Sequence, residues 1–317
     1  MSVLYLGEGD VAATLTMRDA LRLLEAAARE HAGGTAMNQP RERVRAGKST
    51  LHVLPAALGG YLGHKCYTTG ARAAKFWVTL YAASGEMLAI IEADRLGALR
   101  TGAASGIASR ALARPDAAEL GIIGTGNQAR TQAAAVCAML PIARVRAYGR
   151  DPVRRAAFAS EMQAALERPV LAVETARDAV EGADVIVTIT SATEPVLFAD
   201  DLREGVHINA AGANRLPNRE LDVAVVARAT TVAVEDVAQA QVESADLREA
   251  VDAGAFGWNE AVRLADIIAG TAVGRRNPSD ITLFKSLGIG LWDVAVAAHV
   301  FETARSRGLG THLPIPA

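Results

Sequence analysis

A chain of 317 residues, 50% of them hydrophobic, carries enough apolar material for two domains and a large buried core. A formal net charge of −2, with no Lys/Arg cluster interleaved with aromatics, argues against nucleic acid or an anionic membrane as partner. Two cysteines, Cys66 and Cys137, exclude a disulfide framework and suit a reducing, cytoplasmic setting; the N-terminus does not read as a leader, and no apolar run reaches the ~20 residues of a membrane span.

Val3 to Leu6 reads as a short strand, and a helix is expected to start at Thr16, with Asp19 three residues on as its capping partner. Leu21, Leu24, Ala28 and His31 share one face of that helix, and Gly33-Gly34 ends it. From Arg41 to Ile91 the period shortens to two, with runs at 41–45, 50–55, 61–67, 76–81 and 87–91 separated by turn residues, the pattern of an antiparallel sheet. Asp94 to Ala113 reads as a helix so rich in Gly and Ala that another backbone must pack close to it, and Arg114-Pro115-Asp116 marks a boundary.

Beyond it the apolar run Leu120 to Ile123 breaks at Gly124-Thr125-Gly126-Asn127-Gln128-Ala129 into an alanine-rich helix. A strand, a tight turn and a helix N-terminus in that order cradle a pyrophosphate, because side chains at 124 and 126 would hold it away from the backbone N–H groups and the positive end of the helix dipole. A dinucleotide is the expected ligand. Strands at 144–148, 170–173, 183–190, 207–212 and 231–234 alternate with helices from Pro152 and Thr175, which predicts a doubly wound parallel sheet. The apolar helix at 290–307 is expected to return to the N-terminal domain. The domains read as 1–115 with 290–317 and, between them, 116–289.

Gln39-Pro40-Arg41, Leu54-Pro55-Ala56, Gly63-His64-Lys65, Leu99-Arg100-Thr101-Gly102, the Gly124–Ala129 loop, Ala192-Thr193-Glu194-Pro195, His207-Ile208-Asn209-Ala210-Ala211-Gly212, Arg219-Glu220-Leu221-Asp222 and Phe284-Lys285-Ser286-Leu287-Gly288 stand in this order along nearly the whole chain. With them the chain resembles the ornithine cyclodeaminase/mu-crystallin family of NAD(P)-dependent enzymes. The resemblance implies a Rossmann domain inserted into an α+β catalytic domain that dimerises through its antiparallel sheet, with the active site between the two. It implies that Arg41, Lys65 and Arg100 surround a substrate carboxylate, with Arg43 and Arg45 alternating on the same strand as Arg41. Thr101, Thr190 and Ser286 join Gly124, Thr125, Gly126, Asn127 and Gln128 as expected nucleotide contacts.

The chemistry is consistent with that placement. Two guanidiniums can grip a planar carboxylate in bidentate fashion, and a partly desolvated lysine beside them has a lowered pKa suited to donating a proton near neutrality. By strand alternation Lys65 shares a face with Gly63 and Tyr67, and Gly63 is expected to leave room for a ligand; Cys66 faces away as a structural thiol. No histidine stands in metal-ligand spacing, and no metal is expected.

After His207–Gly212 comes Ala213-Asn214, where the cyclodeaminases of the family have an aspartate that acts on the substrate's amino groups; an amide cannot take a proton. The expected activity is therefore NAD(P)H-dependent reduction of a small 2-imino carboxylate, such as pyrroline-2-carboxylate or piperideine-2-carboxylate, with Asn214 orienting the nitrogen. Ornithine cyclodeaminase, an alanine-type amino-acid dehydrogenase and a non-catalytic NADP- and small-ligand-binding protein are the rival readings. At the end of the second strand of the nucleotide domain stands Gly149 rather than a carboxylate, followed by Arg150 and, one turn on, Arg154, which favours NADP(H) over NAD(H). A homodimer is expected, and no membrane or nucleic-acid partner.

Overall fold

The computed structural model describes residues 2–70 and 73–314. By internal packing the chain divides into two compact units, Met1–Arg100 with Ile289–Ala317, and Thr101–Gly288.

The first unit opens with β1 (Ser2–Leu6), α1 (Glu8–Thr14) and α2 (Met17–Ala32). Thr16 and Asp19 form the reciprocal cap of α2, and Leu21, Leu24 and Ala28 are buried along one side, so period and cap agree on this helix. The alternating stretch folds as β2 (Met37–Asn38), β3 (Glu42–Ala46), β4 (Ser49–Leu58), β5 (Tyr61–Thr69), β6 (Phe76–Ala82) and β7 (Met87–Glu92). Successive strands from β3 to β7 are antiparallel, with Leu54, Lys65, Val78 and Ile91 in register across the sheet. The sheet is nonetheless mixed, because β1 lies parallel to β7.

After β7 comes α3 (Asp94–Leu112), whose first N–H groups, of Asp94 and Arg95, donate to the Glu8 carboxylate at 2.7 and 3.0 Å. The unit boundary falls within this helix, after Arg100. The second unit continues with β8 (Glu119–Ile123), α4 (Asn127–Met139), β9 (Arg144–Tyr148), α5 (Pro152–Leu166), β10 (Val170–Ala172), α6 (Ala176–Val180), β11 (Val185–Thr188) and β12 (His207–Ala210). There follow α7 (Val223–Arg228), β13 (Thr231–Val234), α8 (Val237–Glu243), α9 (Ala245–Asp252), β14 (Ala261–Arg263), α10 (Leu264–Ala269) and β15 (Thr282–Lys285). All pairs are parallel, in the order β10-β9-β8-β11-β12-β15-β13-β14. The inner strands β8, β11, β12, β15 and β13 are buried on both faces, which is why β8 and β11 read as near-continuous apolar runs, whereas β9, β10 and β14 towards the edges are partly exposed. Gly102, in the second unit's part of α3, is one glycine of that helix that a close backbone requires: a Cβ there would run into the Thr131 carbonyl group on α4, its carbon only 2.5 Å away.

The chain returns to the first unit with α11 (Gly290–Arg307) and β16 (Thr311–Pro314), and β16 pairs antiparallel with β1 at the sheet edge. α11 packs on β4, β5 and β6, burying Leu291, Trp292, Val294, Val296 and Val300. Each large apolar side chain so buried contributes roughly 1.5–3 kcal/mol before conformational entropy is counted. On the opposite face of the sheet Met37, Leu51 and Leu62 are exposed, beside a hollow lined by Pro55, Ala57 and Tyr81. Among the described residues no helix is long and apolar enough to cross a membrane.

Candidate active site

Lys65 sits in mid-β5, paired with Leu54 and Val78, and strand alternation turns it to the face covered by α11. Two helices approach its ammonium. On α3, Gly97 and Arg100 are three residues apart and so share a side; a Cβ at Gly97 would stand 2.8 Å from Nζ of Lys65. In the first turn of α11, Asp293 offers one oxygen to both cations: Oδ1 accepts from Lys65 Nζ at 3.2 Å and from Arg100 Nε at 2.9 Å. Asn38 anchors that turn by accepting from the Leu291 N–H at 3.3 Å. All three side chains are buried, Asp293 completely, and Oδ2 of Asp293 has no hydrogen-bond partner among the described residues. Arg41, just before β3, is 7% exposed, and the Phe76 ring centre lies 4.8 Å from Lys65 Nζ.

Burial drives the Lys65 pKa down to about 8; Asp293 opposes this, while the charges of Arg100 and Arg41 add to it. Of the alternating arginines only Arg41 is buried, and its charge is felt at Lys65. Two cations, Lys65 and Arg100, share one oxygen of Asp293, and the charge of Arg41 also reaches Lys65, so an anion of matching shape would be attracted here. Arg100 meets Asp293 through Nε, so its end-on Nη1/Nη2 edge is the geometry for a planar carboxylate.

Gly63 does not provide the expected space beside the ammonium. A Cβ there would meet the Thr79 carbonyl at 2.9 Å and the Val294 methyl at 3.0 Å, so the glycine serves the close seat of α11 on the sheet. Gly97 is the glycine that spares room for Lys65. Cys66, on the outward face, is half-buried and free, and burial raises its thiol pKa.

In the second unit, the loop from β8 to α4 has the form a pyrophosphate requires. Gly124 has φ +114°, a conformation that side-chain-bearing residues avoid, and Ile189 packs against it. Gly126 is the N-cap of α4 with no side-chain cap, and a Cβ added there would meet nothing within 4 Å. The two glycines thus act differently: one permits the turn, the other keeps the helix N-terminus open to an anion. Thr125 packs where a side chain at Gly149 would stand, and Asn127 and Gln128 begin α4. Asp151, the nearest carboxylate, caps α5 by accepting from Val153 N at 2.9 Å and Arg154 N at 3.1 Å. Arg150 is exposed, and Arg154, also exposed, lies 3.6 Å from Asp151. These features fit a dinucleotide.

Of the other expected contacts, Thr190 and Ser286 are tied into buried carboxylates. Glu220 accepts from Thr190 N and Oγ1 at 2.6 and 2.8 Å and from Gly212 N and Ala213 N at 2.7 and 3.1 Å, joining the loops that follow β11 and β12. Burial raises its pKa, against the charge of Lys285. Asp246 binds the N–H groups of Glu220 and Leu221 through Oδ1 and pairs with Lys285 through Oδ2 at 2.8 Å. Ser286 donates to Glu235 at 2.8 Å, and the Thr101 carbonyl accepts from Gln132 at 3.2 Å. Asn214 follows this clamp as an exposed loop residue.

Asp293 and Gly97 are absent from the residues the sequence singled out. A usable signal was present: Asp293 is a single carboxylate within the apolar run Gly290 to Ala298, and a buried charge there must have a partner. Glu220 carried a fainter signal, lying inside a motif whose function was unassigned.

The profile of the ornithine cyclodeaminase/mu-crystallin family matches residues 4–308. Delta(1)-pyrroline-2-carboxylate reductase of Bacillus cereus is 40% identical over 231 residues, 73% of this chain and 71% of its own length. The solved structure of Thermococcus litoralis Delta(1)-pyrroline-2-carboxylate reductase with NADH and L-proline has a TM-score of 0.93 and 32% identity, over 98% of this chain and 100% of that one. An archaeal alanine dehydrogenase dimer with bound NAD gives 0.94 and 32%, over 100% of both. The chain belongs to the ornithine cyclodeaminase/mu-crystallin family.

Proposed function

We propose that the chain reduces a small cyclic 2-imino carboxylate, such as pyrroline-2-carboxylate or piperideine-2-carboxylate, to the amino acid, using NADPH in preference to NADH. At the coarser level it is a nicotinamide-dependent oxidoreductase of the imine-reducing kind. The observation that carries the finer reading is the buried pair of Lys65 and Arg100 on Asp293, with the charge of buried Arg41 felt at Lys65.

Bound at the Gly124–Gln128 loop, the nicotinamide dinucleotide supplies a hydride for the imine carbon. Arg100 and Arg41 hold the substrate carboxylate and fix the imine in one orientation. Lys65 gives its proton to the imine nitrogen, and a pKa of about 8 keeps it both charged and willing to donate near neutrality. Asn214 orients that nitrogen without taking a proton, which separates this reading from ornithine cyclisation. Gly149 in place of a carboxylate, Asp151 committed to its helix cap, and exposed Arg150 and Arg154 support the preference for a 2′-phosphate.

In this reading the second unit is the dinucleotide domain, the first is the catalytic and dimerisation domain, and the uncovered apolar sheet face pairs with a second copy in the cytoplasm. The full-length likeness to an alanine dehydrogenase favours one rival, reductive amination of a 2-oxo acid. Following NADPH and NADH oxidation against cyclic 2-imino acids, 2-oxo acids with ammonia, and ornithine decides between them. The proposal expects turnover with the cyclic imines and fails if only 2-oxo acid plus ammonia, or ornithine alone, is consumed.

A further inference from the structure

We propose that Asp293 is a positioning residue of this reaction: by bridging Lys65 and Arg100 through one oxygen, it fixes the proton donor and the carboxylate-binding guanidinium as a pair and keeps Lys65 in its protonated, donating form. The inference rests on the imine-reductase reading for its consequence in turnover, but not for its physical content. Asp293 is fully buried on the first turn of α11, and its Oδ1 lies 3.2 Å from Lys65 Nζ and 2.9 Å from Arg100 Nε. Among the described residues, the charged groups that act most strongly on Lys65 are Asp293 from α11, Arg100 from α3 and Arg41 from the segment before β3; the Phe76 ring from β6 lies against it. Asp293 is the anion among these three. Without it the buried ammonium would lose the opposite charge that holds its proton and keep the repulsion of the guanidiniums, which favours the neutral amine. A shared oxygen also couples the two cations, since moving Asp293 moves both.

Removing an opposite charge at this distance lowers a lysine pKa by roughly one unit or more. In Asp293→Asn, the pH at which imine reduction declines should therefore fall by about one unit or more, while Asp293→Glu, which keeps the charge, should stay closer to the parent. Arg100→Gln should move the same limb upward, because Asp293 is then left to Lys65. A readout without turnover accompanies this: the pH dependence of the Lys65 side-chain resonance in protein labelled with 13C-lysine, assigned by its absence from Lys65→Met, should shift in the same directions. If the parent reduces no imine, this titration still decides the role of Asp293. If Asp293→Asn does not fold, Asp293→Ser, which removes the same charge with a smaller side chain, takes its place. An unmoved midpoint in a folded Asp293→Asn or Asp293→Ser protein, or a midpoint that does not rise in Arg100→Gln, overturns the proposal.

Discussion

One methyl group at position 97 should damage catalysis while sparing the fold. A Cβ built on Gly97 lies 2.8 Å from Nζ of Lys65. Non-bonded contacts of this kind relax to about 3.5 Å, so the ammonium must retreat by roughly 0.7 Å. Its bond to Asp293, now 3.2 Å, sets where it can go, and retreat takes it off the line on which it and Arg100 share Oδ1. Catalytic groups need placement to about 0.5 Å, and a misplacement near 1 Å costs on the order of a hundredfold, so Gly97→Ala should lower kcat by ~10–100-fold. Stability should barely change, because the clash is with the end of a flexible side chain and alanine is favoured over glycine within a helix by about 1 kcal/mol. Steady-state NADPH oxidation with pyrroline-2-carboxylate, beside a thermal melt and a nucleotide titration, separates the two effects. Parent-like turnover in a folded Gly97→Ala protein would refute the reasoning, as it would show that the ammonium's position is immaterial.

Four further outcomes follow from the same structure. With Lys65 at about 8, kcat/KM for imine reduction should be level below that pH and fall above it, by about tenfold per unit, whereas amino-acid oxidation should rise through it. The stability effect has its own sign: a pKa lowered from 10.5 means the unfolded chain holds the proton more tightly, so the Lys65 contribution to stability should grow with pH between about 8 and 10.5, measurable by denaturant titration. Arg150→Ala should raise the KM for NADPH several-fold and leave that for NADH nearly unchanged; equal effects on both would remove the 2′-phosphate assignment. Light scattering should show a homodimer at micromolar concentration, and Leu62→Asp, on the exposed sheet face, should weaken it; a monomeric parent would contradict the pairing.

Periodicity located most of the elements that place the site. The strands carrying Lys65 and its neighbours, α2 with its Thr16–Asp19 cap, α5 and α11 could be read because local signals and burial agree there. The position of β15 between β12 and β13 could not, since strand order in a parallel sheet is set by packing of the crossover connections. The parallel pairing of β1 with β7 is likewise a contact across 80-odd residues that alternation within either strand does not encode. In the site, the cations were legible through motif order, but their partner was not: Asp293 lies some 190 residues from Arg100, and nothing local to either announces the bond. Gly63 misled for a related reason, because a missing side chain marks close approach without saying whether a ligand or a helix fills the space.

The measurement that bears most directly on Lys65 as the proton donor is single-turnover reduction of pyrroline-2-carboxylate by Lys65→Met, which preserves volume and deletes the ammonium. The account predicts a loss of roughly a hundredfold to ten-thousandfold in the rate of NADPH oxidation, with NADPH affinity nearly intact because the Gly124–Gln128 loop belongs to the other unit. Reduction at close to the parent rate would mean that the proton comes from water or another group, and would contradict it.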